Sequence, residues 1–418
     1  LGKTLGIGAL AVCALVFIVG VTRLVLSTAE FSLSDPFIIQ ELLNLFMIAV
    51  SLAIAAVPEG LPAVVTISLA GGMREMVKRH ALIRKLASVE TLGSVTVICS
   101  DKTGTLTQNQ MTVTRLWADG KFITVTGSGY EPHGEFLNDD HKIDFKSYRG
   151  VGTALWIGAL NNDAQLELSG ESDGKPTYRI VGDPTEGSIL VAAEKAGTPV
   201  EDLQKAYPRV QEIPFDSERK RMLTIHAIKQ PVDDDISPFT SADRGKGYII
   251  AVKGAPDVVL NLCTQRLKLD NSVEPLTEEG RKEILAANDA MTKDALRVLG
   301  VAYRVVPQMP EEITPEALEK DLIFAGLIGM IDPARPEVKA ALTEAKTAGI
   351  RTIMITGDYP NTARAIAEEI GLIAPGHQVL TGADIEDKSQ EEMREIVKIT
   401  DVYARVSPEH KMKIVDAL

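Results

Sequence analysis

The sequence predicts an α/β protein in which a parallel sheet is split by a large α+β insertion and preceded by a hairpin of membrane-spanning helices. Three observations carry that expectation. Residues 5–26 and 37–69 are apolar runs of bilayer-spanning length. A β-branched run ends abruptly at Asp101 and a glycine-containing turn. Strand and helix patterns then resume at 322–406, after roughly 210 residues that are too many for a loop and read as an inserted domain.

The first apolar run is polar only at Thr22 and Arg23, near its end. The second is longer than one straight span requires. Behind it come Arg74, Lys78, Arg79, His80, Arg84 and Lys85, a basic cluster that by the positive-inside tendency places the following chain in the cytoplasm. Within the second run V-P-E-G-L-P, residues 57–62, breaks the helix and buries an acid. Pro58 has no N–H for the carbonyl of Ile54, so oxygens near Ile54, Ala55 and Val57 can turn away from the helix axis. Such oxygens are ligands for hard cations, and Glu59, an ionisable group at membrane depth, is their natural charged partner. The plain alternative is a proline kink with a glutamate reaching the interface.

Of the 418 residues, 45% are hydrophobic and 24% charged, enough for two or three domains with their own cores. A formal net charge of −13 argues against general nucleic-acid binding, which needs a basic face to displace counterions from phosphates. Cys13, Cys99 and Cys263 have no C-x-x-C spacing and lie in apolar stretches, so all three are expected simply to pack.

In V-T-V-I-C-S-D-K-T-G-T-L-T, residues 95–107, Val95, Val97 and Ile98 read as a strand buried on both faces that ends at Asp101. Ligands of open α/β sheets bind beyond the carboxyl ends of the strands, so Asp101 is a candidate nucleophile toward phosphorus. Lys102 offsets charge, Gly104 admits close backbone approach, and Thr103, Thr105 and Thr107 offer hydroxyls. A connecting helix at 88–93 precedes this strand. The run 322–331, D-P-A-R-P-E-V from Asp332, a helix to Gly349, a strand from Ile350, a helix 361–370 and an extended segment 402–406 are expected to continue the same parallel sheet. Thr356, Gly357 and Asp358 end their strand as Asp101 ends its own, and suit a phosphoryl group and Mg²⁺. Lys411, in R-V-S-P-E-H-K, supplies a cation for phosphate oxygens.

D-K-T-G-T-L-T, residues 101–107, resembles the phosphorylation signature of P-type ion-transporting ATPases, and P-E-G-L-P resembles their calcium-pump branch, typified by the sarco/endoplasmic reticulum-type pumps. The resemblance implies a haloacid-dehalogenase-like phosphorylation domain, with phosphate contacts from Thr356, Gly357 and Lys411 and support from Asp358 and Asp332. It implies Mg²⁺ on Asp101 and the Thr103 carbonyl, and Ca²⁺ at Ile54, Ala55, Val57 and Glu59. The insert's strands at 222–228 and 248–252 read as a mostly antiparallel sheet with helices on one side. Its motifs G-D-P-T-E (182–186), F-D-S-E-R-K-R-M (215–222), K-G-A-P-D (253–257) and L-R-V-L (296–299) resemble the ATP site of the same pumps. By that resemblance Phe215 stacks on adenine and Glu186 accepts from its amino group. Lys220, Lys253 with Gly254, and Arg297 hold the phosphates, and Asp332 and Arg405 belong to the same nucleotide-contacting set. No Walker A or G-x-G-x-x-G pattern competes.

The implied layout is a transmembrane hairpin over 1–72, a stalk and the first stretch of the phosphorylation domain over 73–110, a nucleotide-binding domain over 111–331 and the rest of the phosphorylation domain over 332–418. An actuator domain and the G-D-G-x-N-D motif of the family are not in the sequence, so the chain is expected to be the catalytic middle of a multi-pass membrane protein, poorly competent for turnover alone. S-G-E-S at 169–172 resembles the family's T-G-E-S loop but follows the nucleophile, so it is expected to be a surface turn. Two rivals remain: a membrane-anchored haloacid-dehalogenase-type phosphatase and a non-catalytic nucleotide-binding module. Such phosphatases carry an acid two residues after the nucleophile, where this chain has Thr103.

Overall fold

The structure, a computed structural model, describes residues 2–27, 35–56, 60–172, 174–231 and 238–418. It falls into two compact units, 1–96 and 97–418. In the first, helices Gly2–Ser27 and Pro36–Ala56 pack together, with Phe17 edge-on to Phe46 at 6.2 Å between centroids. Gly20 permits the approach, because a Cβ there would lie 2.7 Å from Leu45 Cδ2. Helices Gly60–Lys78 and Ala87–Gly93 follow. By length and composition the apolar stretches 6–27 and 36–78 could each cross a membrane, and side chains such as Leu10, Ile18, Phe46 and Ile67 are exposed on them. Val57, Pro58 and Glu59 lie outside the described residues, so of the expected ion ligands only Ile54 and Ala55 are placed, in the last turn of Pro36–Ala56.

In the second unit, Val97–Asp101, Arg351–Ile355, Thr400–Ala404 and Gln378–Thr381 form, in that spatial order, a parallel four-stranded sheet. Two expectations are corrected here. Val97–Asp101 is an edge strand with one partner among the described residues, so it is not buried on both faces: Ile98 and Cys99 are exposed, while Cys13 and Cys263 do pack. The strand Leu322–Ile331 does not join this sheet. It lies centrally in a second sheet, antiparallel to Arg297–Val306 and Thr112–Ala118 and parallel to Cys263–Leu267. An unbroken apolar run reports burial of both faces, which a central antiparallel strand under helices satisfies as well as a parallel one.

That second sheet, eleven-stranded among the described residues, is covered on both faces, not one. Helices Arg149–Leu160 and Pro184–Lys195 pack on Leu116, Ile249, Ala251, Val301 and Ile328. Glu278–Lys293 and Pro256–Asn261 pack on Leu223, Ile225, Ile250, Val252 and Leu327. The reason is visible in Tyr248–Gly254, where Ile249, Ile250, Ala251 and Val252 are consecutive and all fully buried; side chains alternate faces, so both must be covered. In S-G-E-S, Ser169, Gly170 and Glu171 are exposed, but the run is not a turn: it sits on Gln165–Ser172, one arm of a two-stranded hairpin with Lys175–Val181.

His226, 3% exposed on Arg221–Ala227, donates from Nδ1 to the Tyr207 carbonyl and accepts at Nε2 from the Thr224 hydroxyl, 2.9 Å each. Burial pushes its pKa down to about 4, with the Arg209 charge acting in the same direction. The unfolded chain, titrating near ~6.5, therefore takes the proton first, so the stability held above that pH is lost as pH falls toward 4, by about 3 kcal/mol at most. Denaturant titrations at a series of pH values should show this decline in the native chain and a shallower one in His226→Gln.

Candidate active site

Asp101 closes its strand with an extended backbone, and its Oδ1 accepts from the Lys102 amide at 2.8 Å. Its Oδ2 faces Lys411 Nζ at 3.3 Å, and the side chain stays half-exposed. Lys102 turns inward instead: 5% exposed, its ammonium meets Asp358 Oδ2 at 2.5 Å. Gly104 has φ +74°, and a Cβ there would meet only Asn109 Cβ at an ordinary 3.8 Å, so backbone conformation, not crowding, demands glycine there. The turn is closed by Thr107, whose amide reaches the Lys102 carbonyl at 3.0 Å.

The opposing loop follows Arg351–Ile355. Thr356, 1% exposed, accepts at its hydroxyl from the Asp358 amide at 3.2 Å, and its own amide donates to the Tyr403 carbonyl. Beside Gly357 nothing lies within 4 Å of where a Cβ would be, leaving open space. Arg405, at φ +52°, donates its amide to the Asp358 carbonyl and lays its guanidinium 3.6 Å over the Tyr359 ring. Asp332 braces the turn: its oxygens accept from the Thr107 hydroxyl at 2.5 Å and the Gln110 amide at 3.0 Å. Arg335, which the sequence reading missed, donates to the Gly104 carbonyl at 3.1 Å.

This set fits a phosphoryl group: an accessible carboxylate, a lysine at its edge and glycines on both loops. Among the described residues no group of three or more His, Cys, Asp or Glu gathers that could hold a metal ion. Asp358 and Asp332 are engaged as above, which leaves Asp101 and the Thr103 carbonyl. Mg²⁺ bound through one or two carboxylates, substrate phosphate and water needs no more, so the residues present fit it in that mode.

The insert's motifs converge on a cavity of about 700 Å³ lined by Glu186, Phe215, Lys220, Lys253, Gly254 and Arg297, together with Asp163, Thr185, Met222 and Leu299. Phe215 is 63% exposed and free to stack. Lys220 has φ +54°, and its carbonyl accepts from the Ala255 amide at 3.0 Å, locking two motifs together. Asp183 caps Pro184–Lys195 through the amides of Thr185 and Glu186, and Arg297 donates to Thr185 Oγ1 at 2.9 Å. Lys253 is not a free cation: 5% exposed, it pairs with Glu186 Oε1 at 2.6 Å and donates to the Asn161 carbonyl. Burial lowers its pKa and the Glu186 charge opposes that shift. Glu186 Oε2 in turn accepts from the Asp163 amide at 3.0 Å. The N-N-D run 161–163, which builds this floor with Arg209 on Asp163 at 2.6 Å, was missed from sequence; its polar residues directly after a buried helix were the available signal.

A half-exposed carboxylate at the end of a parallel strand and a cavity of about 700 Å³ in the inserted sheet narrow the class, and the comparisons bear on it. The family model described as P-type ATPase, cytoplasmic domain N, matches residues 151–337, and similarity to P-type ATPases runs along the rest of the chain. Along its whole length it is 42% identical to a calcium-transporting ATPase of Bacillus subtilis, covering 43% of that protein, and 42% identical to calcium-transporting ATPase 1 of Lactococcus lactis, covering 42% of that one. It is 39% identical to the probable cation-transporting ATPase F of Mycobacterium tuberculosis, covering 42% of it. The chain thus spans less than half the length of these curated relatives.

Glu186→Gln should lower unfolding free energy by about 3 kcal/mol, since a buried ammonium loses its counter-charge. Combining it with Lys253→Met should recover most of the loss in denaturant titrations.

Proposed function

We propose that this chain cleaves ATP for cation transport through an aspartyl-phosphate on Asp101, with Ca²⁺ as the transported ion. The observation that carries the reading is the Asp101 carboxylate, half-exposed at the carboxyl end of a parallel strand, with Lys411 3.3 Å from one oxygen and Lys102 diverted to Asp358. In this reading an Asp101 oxygen attacks the γ-phosphorus of ATP, the bond to the β-γ bridging oxygen breaks, and ADP leaves with that electron pair. Lys411, Thr356 and Gly357 meet the phosphoryl oxygens, while Asp358 and Asp332 hold Lys102 and the turn. Where Mg²⁺ is bound, Asp101 and the Thr103 carbonyl are the residues that hold it, and it offsets phosphoryl charge.

ATP sits in the insert's cavity, with adenine on Phe215 and phosphates toward Lys220 and Arg297. Lys253 acts from the floor through Glu186, and Arg405 serves from the phosphorylation side. The domains follow the boundaries 1–72, 73–110, 111–331 and 332–418, with the hairpin in a bilayer and the remainder in the cytoplasm. Ile54, Ala55, Val57 and Glu59 form the cation site. Thr103 in the place of a general acid favours this reading over a phosphatase, because the acyl phosphate then persists.

In membranes carrying the complete protein, Asp101→Asn should reduce acid-stable, hydroxylamine-sensitive phosphate incorporation from ATP to background while nucleotide binding survives. Undiminished incorporation would place the chemistry elsewhere. Glu59→Gln should abolish the Ca²⁺ dependence of phosphorylation; retention of the native calcium response would remove Glu59 from the ion site.

A further inference from the structure

Glu319 lies outside every motif above, between the short helix Pro315–Leu318 and the strand Leu322–Ile331. Its side chain is 2% exposed, and both carboxylate oxygens are taken by arginines of the Phe215 motif. Oε1 accepts from Arg219 Nη1 at 2.7 Å, and Oε2 accepts from Arg221 Nε at 2.8 Å and Nη2 at 2.5 Å. Arg219 also donates to the Pro214 and Arg221 carbonyls, so it laces both sides of the turn that runs from Phe215 to Lys220. That turn has little freedom. Lys220 holds a left-handed backbone, donates its amide to the Asp216 carbonyl at 2.7 Å and accepts from the Ala255 amide. A Cβ at Gly254 would come within 2.4 Å of the Lys220 carbonyl.

We propose that Glu319 is a positioning residue for nucleotide binding: it fixes the turn that presents Phe215 and Lys220 to the cavity. The proposal rests on the reading of that cavity as an ATP site. Glu319 does not line the cavity, so it acts through the arginines. A buried carboxylate is costly to desolvate and is retained where charge-assisted bonds satisfy both oxygens, which here takes two guanidiniums from one turn. Its backbone is itself held, by its amide on the Pro315 carbonyl at 2.8 Å, directly before a central strand of the sheet. The pocket's most exposed aromatic is thus anchored to one of its most buried elements.

The test is calorimetric titration of ATP into the purified 418-residue chain in detergent, for the native sequence, Glu319→Gln, Phe215→Ala and the double variant. Glu319→Gln should bind about tenfold more weakly, and the double variant should lose less than the product of the two single losses, since part of what Glu319 does is done through Phe215. A merely structural Glu319 would instead give losses that multiply in the double variant, and that result, or native affinity in Glu319→Gln, overturns the proposal. Should Glu319→Gln not fold, Arg221→Gln keeps the Arg219 bond and should still weaken binding about threefold, again less than multiplicatively with Phe215→Ala. Absence of ATP binding by the native chain would overturn the pocket reading itself, and this proposal with it.

Discussion

What the acid at the head of the parallel sheet can do depends on where the next residue points. Had Lys102 folded back onto Asp101, the carboxylate would be a satisfied surface ion pair with a masked lone pair. Its ammonium is instead buried against Asp358, a residue from the far side of the insertion, at 2.5 Å. The consequence is double. Asp101 keeps an oxygen turned to Lys411 and solvent, and the two loops that follow the paired strands are tied to each other by that ion pair. The parallel pairing of Val97–Asp101 with Arg351–Ile355 brings the strand ends level, with Asp101 opposite Ile355, and the ion pair fixes what lies beyond them.

The insert's cavity applies the same physics with the opposite emphasis. There the lysine and the acid, Lys253 and Glu186, are both withdrawn from solvent, and backbone groups of Asn161 and Asp163 complete their bonding. A charged floor in a low-dielectric setting orients what sits above it without being exposed to competing water, provided every member is satisfied. Arg297 and Lys220, nearer the surface, remain the adjustable cations at its rim.

The turn at Asp101 and the four motifs of the insert were readable because each couples an unusual residue choice to a backbone requirement. Gly104 needs a left-handed turn, Gly254 a close approach to Lys220, and Pro256 the first turn of a helix. What was not readable were quantities that depend on partners distant in the chain. The membership of Leu322–Ile331 and the second helical layer over Tyr248–Gly254 follow from what covers a face, and an apolar run reports only that something does. Glu319 and Asn161 are ordinary letters in the sequence; their importance arises from arginines and carbonyls roughly 60 to 100 positions away, fixed by the antiparallel ladder.

That ladder also constrains how the two sites can communicate. Arg297, at the cavity rim, is paired in register with Met330, two residues before Asp332, and Met330 is paired with Val113 on the strand leaving the Asp101 turn. A strand pair resists sliding, because a one-residue slip exchanges its buried and exposed faces. The cavity rim and Asp332 are therefore linked through paired central strands, and the chain leaves that sheet through two connections, 107–111 and 332–337. These are stitched together by the Gln108 amide on the Pro333 carbonyl at 3.1 Å and the Arg335 amide on the Leu106 carbonyl at 2.9 Å. Joined in this way, the two connections between the sheets are held by the same stretch of chain that braces Asp101.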